Sequence, residues 1–477
     1  MGFVFKQSLK NILTTYLGFA IGAINTLFLF TYFLSKSQYG LVSYITSTAT
    51  ILSPLIAFGV HQTYIRFYAT YDNTNERSRF NFMLFLLPWA VIIPLVFVGY
   101  LSYEHLVAWL SSKNAEVGNY LPVIFFTGIT MAYFEIGYAW ARVQLQTVAG
   151  NFLKEVFHRV GILLLLVAFY FKLMTFEILV QGVFWVYFLR MICMFVLVFF
   201  MVRPQFHIGF PSNKHSVLWY SAFVVLSGSV ATLLVDIDKF MLNQYVALPD
   251  IAIYNVAIFS ATVVVIPYRA VYQIVSPLVA QWLHQNKINE IHQLYHRSTL
   301  GVFAFSMLIF VLIVTNARQM YALLPDPAYE QGLWVLIIIA CVKLSDALTG
   351  VNNALLFNSA YYRYILLLGI LLLITTVLLN IWLIPKYGIN GSAVATFIAF
   401  IVYNMLKISL VCAKFRLQPF SKTIIQIIFI GAILTLIGYF WDFSFANPLI
   451  NILLKSILIL ILTFPLLKKI KSEISHL

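Results

Sequence analysis

The chain has 477 residues, 62% of them hydrophobic and only 10% charged. A soluble domain carries roughly 25% charged residues, so the composition excludes a water-soluble fold and indicates a polytopic membrane protein. The excess of 30 Lys and Arg over 16 Asp and Glu, net +14, then reports topology rather than nucleic acid, because cytoplasmic loops collect Lys and Arg.

A helix needs about 20 apolar residues to cross a bilayer core. Read on that basis, the chain divides into about fourteen spans. The first six begin near Ile12, Leu41, Phe82, Leu121, Val156 and Phe176, and the next six near Leu218, Ile251, Leu300, Leu333, Tyr364 and Ala393. The last two begin near Ile424 and Leu449. The first apolar run follows Lys6 and Lys10, exceeds the length of a signal-peptide core and lacks a small-x-small cleavage site, so it reads as an uncleaved span. Cys193, Cys341 and Cys412 lie in or at the end of apolar runs, with neither disulfide nor metal spacing.

Charge tests this layout. With the N-terminus inside, the cytoplasmic segments hold twenty Lys and Arg, among them Arg142, Lys154, Arg159 and Lys407. The outer segments hold five: Lys36, Lys113, Lys172, Arg318 and Lys386. The bias places both termini in the cytoplasm. The longest outer connections, 102–119 and 316–332, are too short for a folded domain. A shift of 212 residues sets Phe28 on Phe240, Leu41 on Ile253, and Ala49-Thr50 on Ala261-Thr262. Such a shift, close to six spans, is what a transporter of two related halves shows, in parallel about an axis along the membrane normal. The expected organisation is an N-lobe at 1–213 (spans 1–6), a C-lobe at 214–416 (spans 7–12) and a helix pair at 417–477 (spans 13–14).

Charges inside spans are the main functional signal, since burying one in lipid costs at least about 2.5 kcal/mol. Span 7 carries Ser229, Thr232, Asp236 and Lys239 at spacings that share one helical face, with Asp238 beside them. Span 2 has a similar stripe in Ser43, Ser47, Thr50 and Pro54. Hydroxyls alone read as helix–helix contacts; two carboxylates and a lysine turn the span 7 stripe toward a cavity. Asp236/Lys239 and Lys343/Asp346 are each three apart and can neutralise themselves. Arg269 has no acid within a helical turn or two along the sequence and follows Pro267, which frees backbone carbonyls nearby. Arg190 in span 6 also lacks an acid close in sequence, though near the inner surface it could snorkel. Arg66 ends span 2, at a cavity mouth or at the inner rim. Within the spans, Arg190, Lys239, Arg269, Lys343 and Lys455 oppose Glu135, Asp236, Asp238 and Asp346. The cationic excess suits a phosphate or pyrophosphate. Asp236-Ile237-Asp238 also has the D-x-D form with which many glycosyltransferases hold a metal, but in a span rather than a loop. No P-loop, H-E-x-x-H or C-x-x-C occurs. The Lys468-Lys469-Ile470-Lys471 tail suits anionic headgroups.

Two segments resemble a known family. Asp238-Lys239-Phe240-Met241-Leu242, followed by Ile253-Tyr254-Asn255-Val256-Ala257, is similar to the span 7–8 signature of bacterial polysaccharide flippases. The run from Asn380-Ile381-Trp382-Leu383-Ile384-Pro385 through Lys386-Tyr387-Gly388-Ile389-Asn390-Gly391 to Ser392-Ala393-Val394-Ala395-Thr396 resembles their span 11–12 turn. Here Pro385 ends a helix, Gly388 and Gly391 allow the turn, and small residues let the next helix pack closely. These are the O-antigen and capsule repeat-unit flippases of the multidrug/oligosaccharidyl-lipid/polysaccharide (MOP) exporter superfamily. The resemblance implies an all-α transporter with two six-helix lobes around a central cavity, opening alternately to either side of a bacterial inner membrane. It implies an undecaprenyl-pyrophosphate-linked oligosaccharide as cargo, with the basic residues on the pyrophosphate, the polar stripe on sugars and the lipid tail in the bilayer. No cofactor is implied beyond coupling to H+, Na+ or the membrane potential; a polysaccharide polymerase and chain-length machinery are the implied partners. Lipid II flippases carry arginines in the first span, whereas no charge lies between Lys10 and Lys36 here, which favours surface polysaccharide over cell-wall precursor.

Two other readings stand beside it. A cation-coupled multidrug exporter of the same fold needs a cavity dominated by acids and aromatics, which Arg269 and the cationic interior oppose. A polyprenyl-phosphate glycosyltransferase or polysaccharide polymerase needs a catalytic outer loop, for which the short loops leave little room.

Overall fold

The structure, a computed structural model, describes residues 2–71, 73–144, 147–201, 203, 205–285, 287–359, 361–443 and 447–476. The side chains of 226–235, including Ser229 and Thr232 of the predicted stripe, lie outside what it describes, as do those of a few residues elsewhere. Every regular element among the described residues is helical. Among the described residues, eleven helices are long and apolar enough to cross a membrane. One of them, Tyr362–Phe415, is two helices joined at Gly388, and two further helical runs, 147–170 and Lys214–Leu242, coincide with the predicted fifth and seventh spans. Counted so, the described residues form fourteen long helical runs, in the order the hydropathy pattern predicts. The fifth starts nine residues earlier than its apolar stretch, at Thr147 rather than near Val156, and so takes in Lys154 and Glu155. Large apolar side chains stand outward on these helices, among them Tyr100, Phe200 and Phe440 at 73–80% exposure. In hydrocarbon that surface is solvated by lipid, and the helices keep all backbone pairing internal.

The chain separates into two compact units, Met1–Ala252 and Ile253–Leu477. In the first, span 2 (Lys36–Ile56) packs against span 4 (Leu121–Val143) and span 7 (Lys214–Leu242), and span 4 also packs against span 6 (Phe176–Met201). Span 2 begins with a capping box: the Ser35 hydroxyl accepts from Gln38 N and the Gln38 side chain accepts from Ser35 N. It is followed, after a turn in which Phe58 and Gly59 take positive φ, by the helix Val60–Phe67. Tyr64, Phe80, Phe134 and Trp140 fill the core between these helices. Span 1 lies on span 5, with Arg159 running across Gly18 and Gly22. A Cβ at Gly18 would sit 2.4 Å from the Glu155 carbonyl oxygen, so no larger residue fits there without moving the backbone. Both helices carry a π-turn in this region, at Ile24–Leu29 and Leu153–Phe157, and Asn25 donates to the Arg159 carbonyl at 2.8 Å.

In the second unit, span 9 (Ile288–Thr315) packs against spans 8, 10, 13 and 14. The span 11–12 turn forms as its residues dictate. Gly388 has φ 56° and ψ −133°, a backbone region that only glycine enters without strain. The helix runs through Pro385 and breaks at Gly388, so the turn comes three residues later than the proline suggests. A Cβ on Gly391 would lie 2.2 Å from the Leu383 carbonyl oxygen; its absence lets span 12 start against the end of span 11. Ser392, Ala393 and Ala395 are fully buried beyond it, and the Ser392 hydroxyl lies 3.2 Å from the Tyr254 hydroxyl. The two signature segments of this unit therefore touch. Lys455 of span 14 pairs with Asp442 at 2.7 Å and donates to the Thr315 carbonyl at 3.0 Å, which makes it a fastener between spans 9 and 14.

The predicted repeat has a local counterpart. A short helix and a 3₁₀ turn precede span 4 (Tyr103–Leu110, Val117–Tyr120), and the same pair precedes span 10 (Ala317–Ala322, Pro327–Gly332).

Candidate functional site

Each unit holds its own cluster of buried charge. In the first, span 4 contributes Glu135, span 5 Lys154, and span 6 Arg190. The Lys154 ammonium donates to the Glu135 carboxylate at 2.7 Å, with about a third of each side chain still accessible. Arg190 is 7% exposed, and its guanidinium lies over the rings of Phe134 at 4.1 Å and Tyr187 at 4.8 Å. An arginine can be stacked this way because its charge is spread over a weakly hydrated plane. Glu135 and Glu155 are the carboxylates whose charge acts on it. Burial therefore replaces the snorkelling that its place in span 6 suggested. Arg159 pairs with Glu155 at 3.2 Å along its own helix.

On span 7, Lys239 pairs with Asp236 at 2.9 Å, the self-neutralising contact its three-residue spacing predicted. Asp236 and Asp238 are 8% and 3% exposed. Of the span 2 stripe, Ser43 and Ser47 are buried, and the Thr50 hydroxyl bonds back to the Thr46 carbonyl at 2.8 Å. Arg66 is exposed at the end of its helix, 4.3 Å above the Tyr220 ring of span 7.

In the second unit, Asp346 of span 10 accepts from Asn404 of span 12 at 2.9 Å, and the same amide donates to the Ser345 hydroxyl at 3.0 Å. Lys343 lies 5.6 Å from the Phe400 ring. One turn beyond Asn404 stands Lys407, 2% exposed, its ammonium 4.6 Å from the Tyr403 ring and Asp346 the opposite charge that acts on it. Nearby, Asn353 donates to the Tyr268 hydroxyl at 3.0 Å, and Tyr268 stacks on Tyr272. Arg269, next to Tyr268, is exposed on the helix that restarts at Ile266–His284 after the 3₁₀ turn Val263–Val265.

Lys154 and Lys407, counted with the cytoplasmic segments from sequence, lie within the helical runs 147–170 and Tyr362–Phe415 rather than in the connections between runs. One signal could have found the site: Glu135 and Asp346 are related, within one residue, by the 212-residue shift. A buried cation, Arg190 or Lys407, stands two spans further on in each unit. In both units the carboxylate accepts from another helix, from Lys154 or from Asn404, and the buried cation lies against aromatic rings. Such a centre can hold an anionic group against its cation or exchange partners as the helices shift. By contrast, a cavity of about 420 Å³ between spans 3, 4 and 6 has aromatic walls, including Phe85, Trp89, Phe184 and Phe188, and no charged side chain.

The family model described as polysaccharide biosynthesis protein matches residues 6–282, more than half of the chain. A probable flippase, AglR of Haloferax volcanii, is 26% identical over 206 residues; the match spans 41% of this chain and 42% of that protein. The lipid II flippase MurJ, in an inward closed conformation, superposes with a TM-score of 0.75 at 14% identity, covering 95% of this chain and 99% of that one. An inward-facing multidrug transporter of the MATE family superposes with a TM-score of 0.64 at 13% identity over 85% of this chain and 94% of its own. A MOP superfamily transporter from Pyrococcus furiosus does so with 0.58 at 14% identity, over 86% and 96%. At these identities the structures speak for the fold alone, that of MOP-superfamily transporters, and the family match goes further: the chain is a member of the polysaccharide biosynthesis protein family.

Proposed function

We propose that this protein is a flippase that carries an undecaprenyl-pyrophosphate-linked oligosaccharide repeat unit from the cytoplasmic to the outer leaflet of a bacterial inner membrane, for O-antigen, capsule or exopolysaccharide synthesis. The observation that carries the reading is the pair of buried, cation-bearing clusters in a chain of this family. Arg190 and Lys407, each in the interior of a membrane helix, are costly to insert, and a pyrophosphate gives such charges a use. The kinship with AglR and the whole-chain likeness to MurJ support lipid-linked cargo. The same features favour a transporter over an enzyme.

Alternating access through the cationic interior would move the headgroup while the polyprenyl chain stays in lipid. The inside-negative membrane potential favours outward movement of an anion by about 2.3 kcal/mol per charge per 100 mV, and Glu135 or Asp346 could couple the cycle to H+ or Na+. Both termini lie in the cytoplasm on this reading, and a polysaccharide polymerase with its chain-length machinery would take the product. Depletion in the host tests it. The lipid-linked repeat unit should accumulate as surface polymer falls. Unchanged pools with retention of cationic dyes would instead support a multidrug exporter.

A further inference from the structure

Span 7 is fastened at both ends within the first unit, and the two fastenings differ in kind. At the end nearer Lys214, the Thr63 and Ser221 hydroxyls lie 2.8 Å apart, fully buried, and a Cβ on Gly59 would sit 2.5 Å from the Ser221 carbonyl. At the other end, Asn114 from the segment between spans 3 and 4 uses its whole side-chain amide on the turn between spans 7 and 8. Its Nδ2 lies within donating distance of Asn243 Oδ1 (2.9 Å), Val246 O (3.0 Å) and Asn243 O (3.1 Å), and its Oδ1 accepts from Leu248 N at 3.1 Å. Asn243 is fully buried and returns a bond from its own Nδ2 to the Leu110 carbonyl at 3.1 Å.

Beneath this contact Phe240 stacks on Tyr44 and meets Trp109. Gly40, at the start of span 2, leaves no room above it: a Cβ there would lie 1.9 Å from the Leu248 carbonyl oxygen. Three separate segments, the span 2 start, the 3–4 connection and the 7–8 turn, therefore close on one another through short, directional contacts between side-chain amides and main chain. Asn114 is half-buried and Asn243 fully buried, so parting them is costly, because the groups around Asn243 then lack partners until water enters. That gives the contact two discrete states, joined or hydrated, and nothing stable between.

We infer that Asn114 and Asn243 form a latch that closes the protein toward the outer face and must open once in every transport cycle. The inference rests on the flippase reading for its orientation and cargo, but the latch is a property of conformation and can be read without cargo. In a background of Cys193→Ser, Cys341→Ser and Cys412→Ser, a Ser43→Cys probe sits one turn below Gly40, where Ser43 is 6% exposed. Its modification by a membrane-impermeant maleimide added from outside should rise about tenfold in Asn114→Ala or Asn243→Ala, as a shift of population toward the open state requires. An unchanged rate would overturn the latch.

An Asn114→Cys/Asn243→Cys pair gives the converse test and does not depend on the alanine variants folding. Oxidation should cross-link the pair, abolish flipping of lipid-linked oligosaccharide and suppress maleimide labelling, and reductant should restore both. Failure to cross-link, or full transport by the cross-linked protein, would overturn the inference. If depletion shows no lipid-linked intermediate while the labelling behaves as expected, the cargo is wrong and the latch stands.

Discussion

Replacing Lys239 with Met removes the ammonium that lies 2.9 Å from Asp236 in a pair with only 12–13% of its side chains accessible. At an effective dielectric constant of 20 the gross attraction at that distance is about 6 kcal/mol. Most of it is offset by the cost of taking both charges out of water, so the pair adds little to stability relative to an apolar one. Breaking it is another matter. Lys239→Met leaves Asp236 charged and buried, with Asp238 at 3% exposure two residues along the same helix, and should destabilise the protein by about 3 kcal/mol. Met fills most of the lysine's volume, which leaves charge rather than packing as the cause. Asp236→Asn combined with Lys239→Met should recover stability to within about 1 kcal/mol of the parent. Denaturant unfolding in detergent micelles measures both, and accumulation of lipid-linked oligosaccharide in the host measures transport. The double variant should be stable yet inactive, because its cation is gone. A stable Lys239→Met would refute the electrostatic reasoning, and an active double variant would leave the pair with insertion as its sole role.

Three further outcomes are expected. Lys407→Met takes away the opposite charge that acts on Asp346, so it should lower stability by about 1–3 kcal/mol, which Asp346→Asn in the same chain should restore, and flipping should fall at least about tenfold; full activity would remove Lys407 from the transport path. Arg190→Lys keeps the charge but loses the planar group seated over Phe134 and Tyr187, so it should lower thermal stability by about 1–2 kcal/mol, and an unshifted melting curve would show that the stacking is incidental. Gly391→Ala must push span 12 away from the Leu383 carbonyl by about an ångström, at a cost of about 1–3 kcal/mol, and Gly388→Ala adds backbone strain of similar size; wild-type protein levels in the membrane for both would contradict the close approach.

What could be read from the sequence is what depends on neighbours along the chain. Apolar run length set the number and order of the helices, the three-residue spacing of Asp236 and Lys239 set their pair, and Gly388 and Gly391 set a turn that no other residues allow. Partners across helices were another matter. Glu135 meets Lys154 from the next span, Lys407 is covered by Tyr403 and faces Asp346, and Asn114 reaches a turn more than a hundred residues away. In a soluble protein an apolar stripe tells which side of a helix faces inward. In a membrane the outward side is apolar too, so the pattern that reveals a span conceals its rotation, and the pairing of buried charges is decided only by how the helices cross.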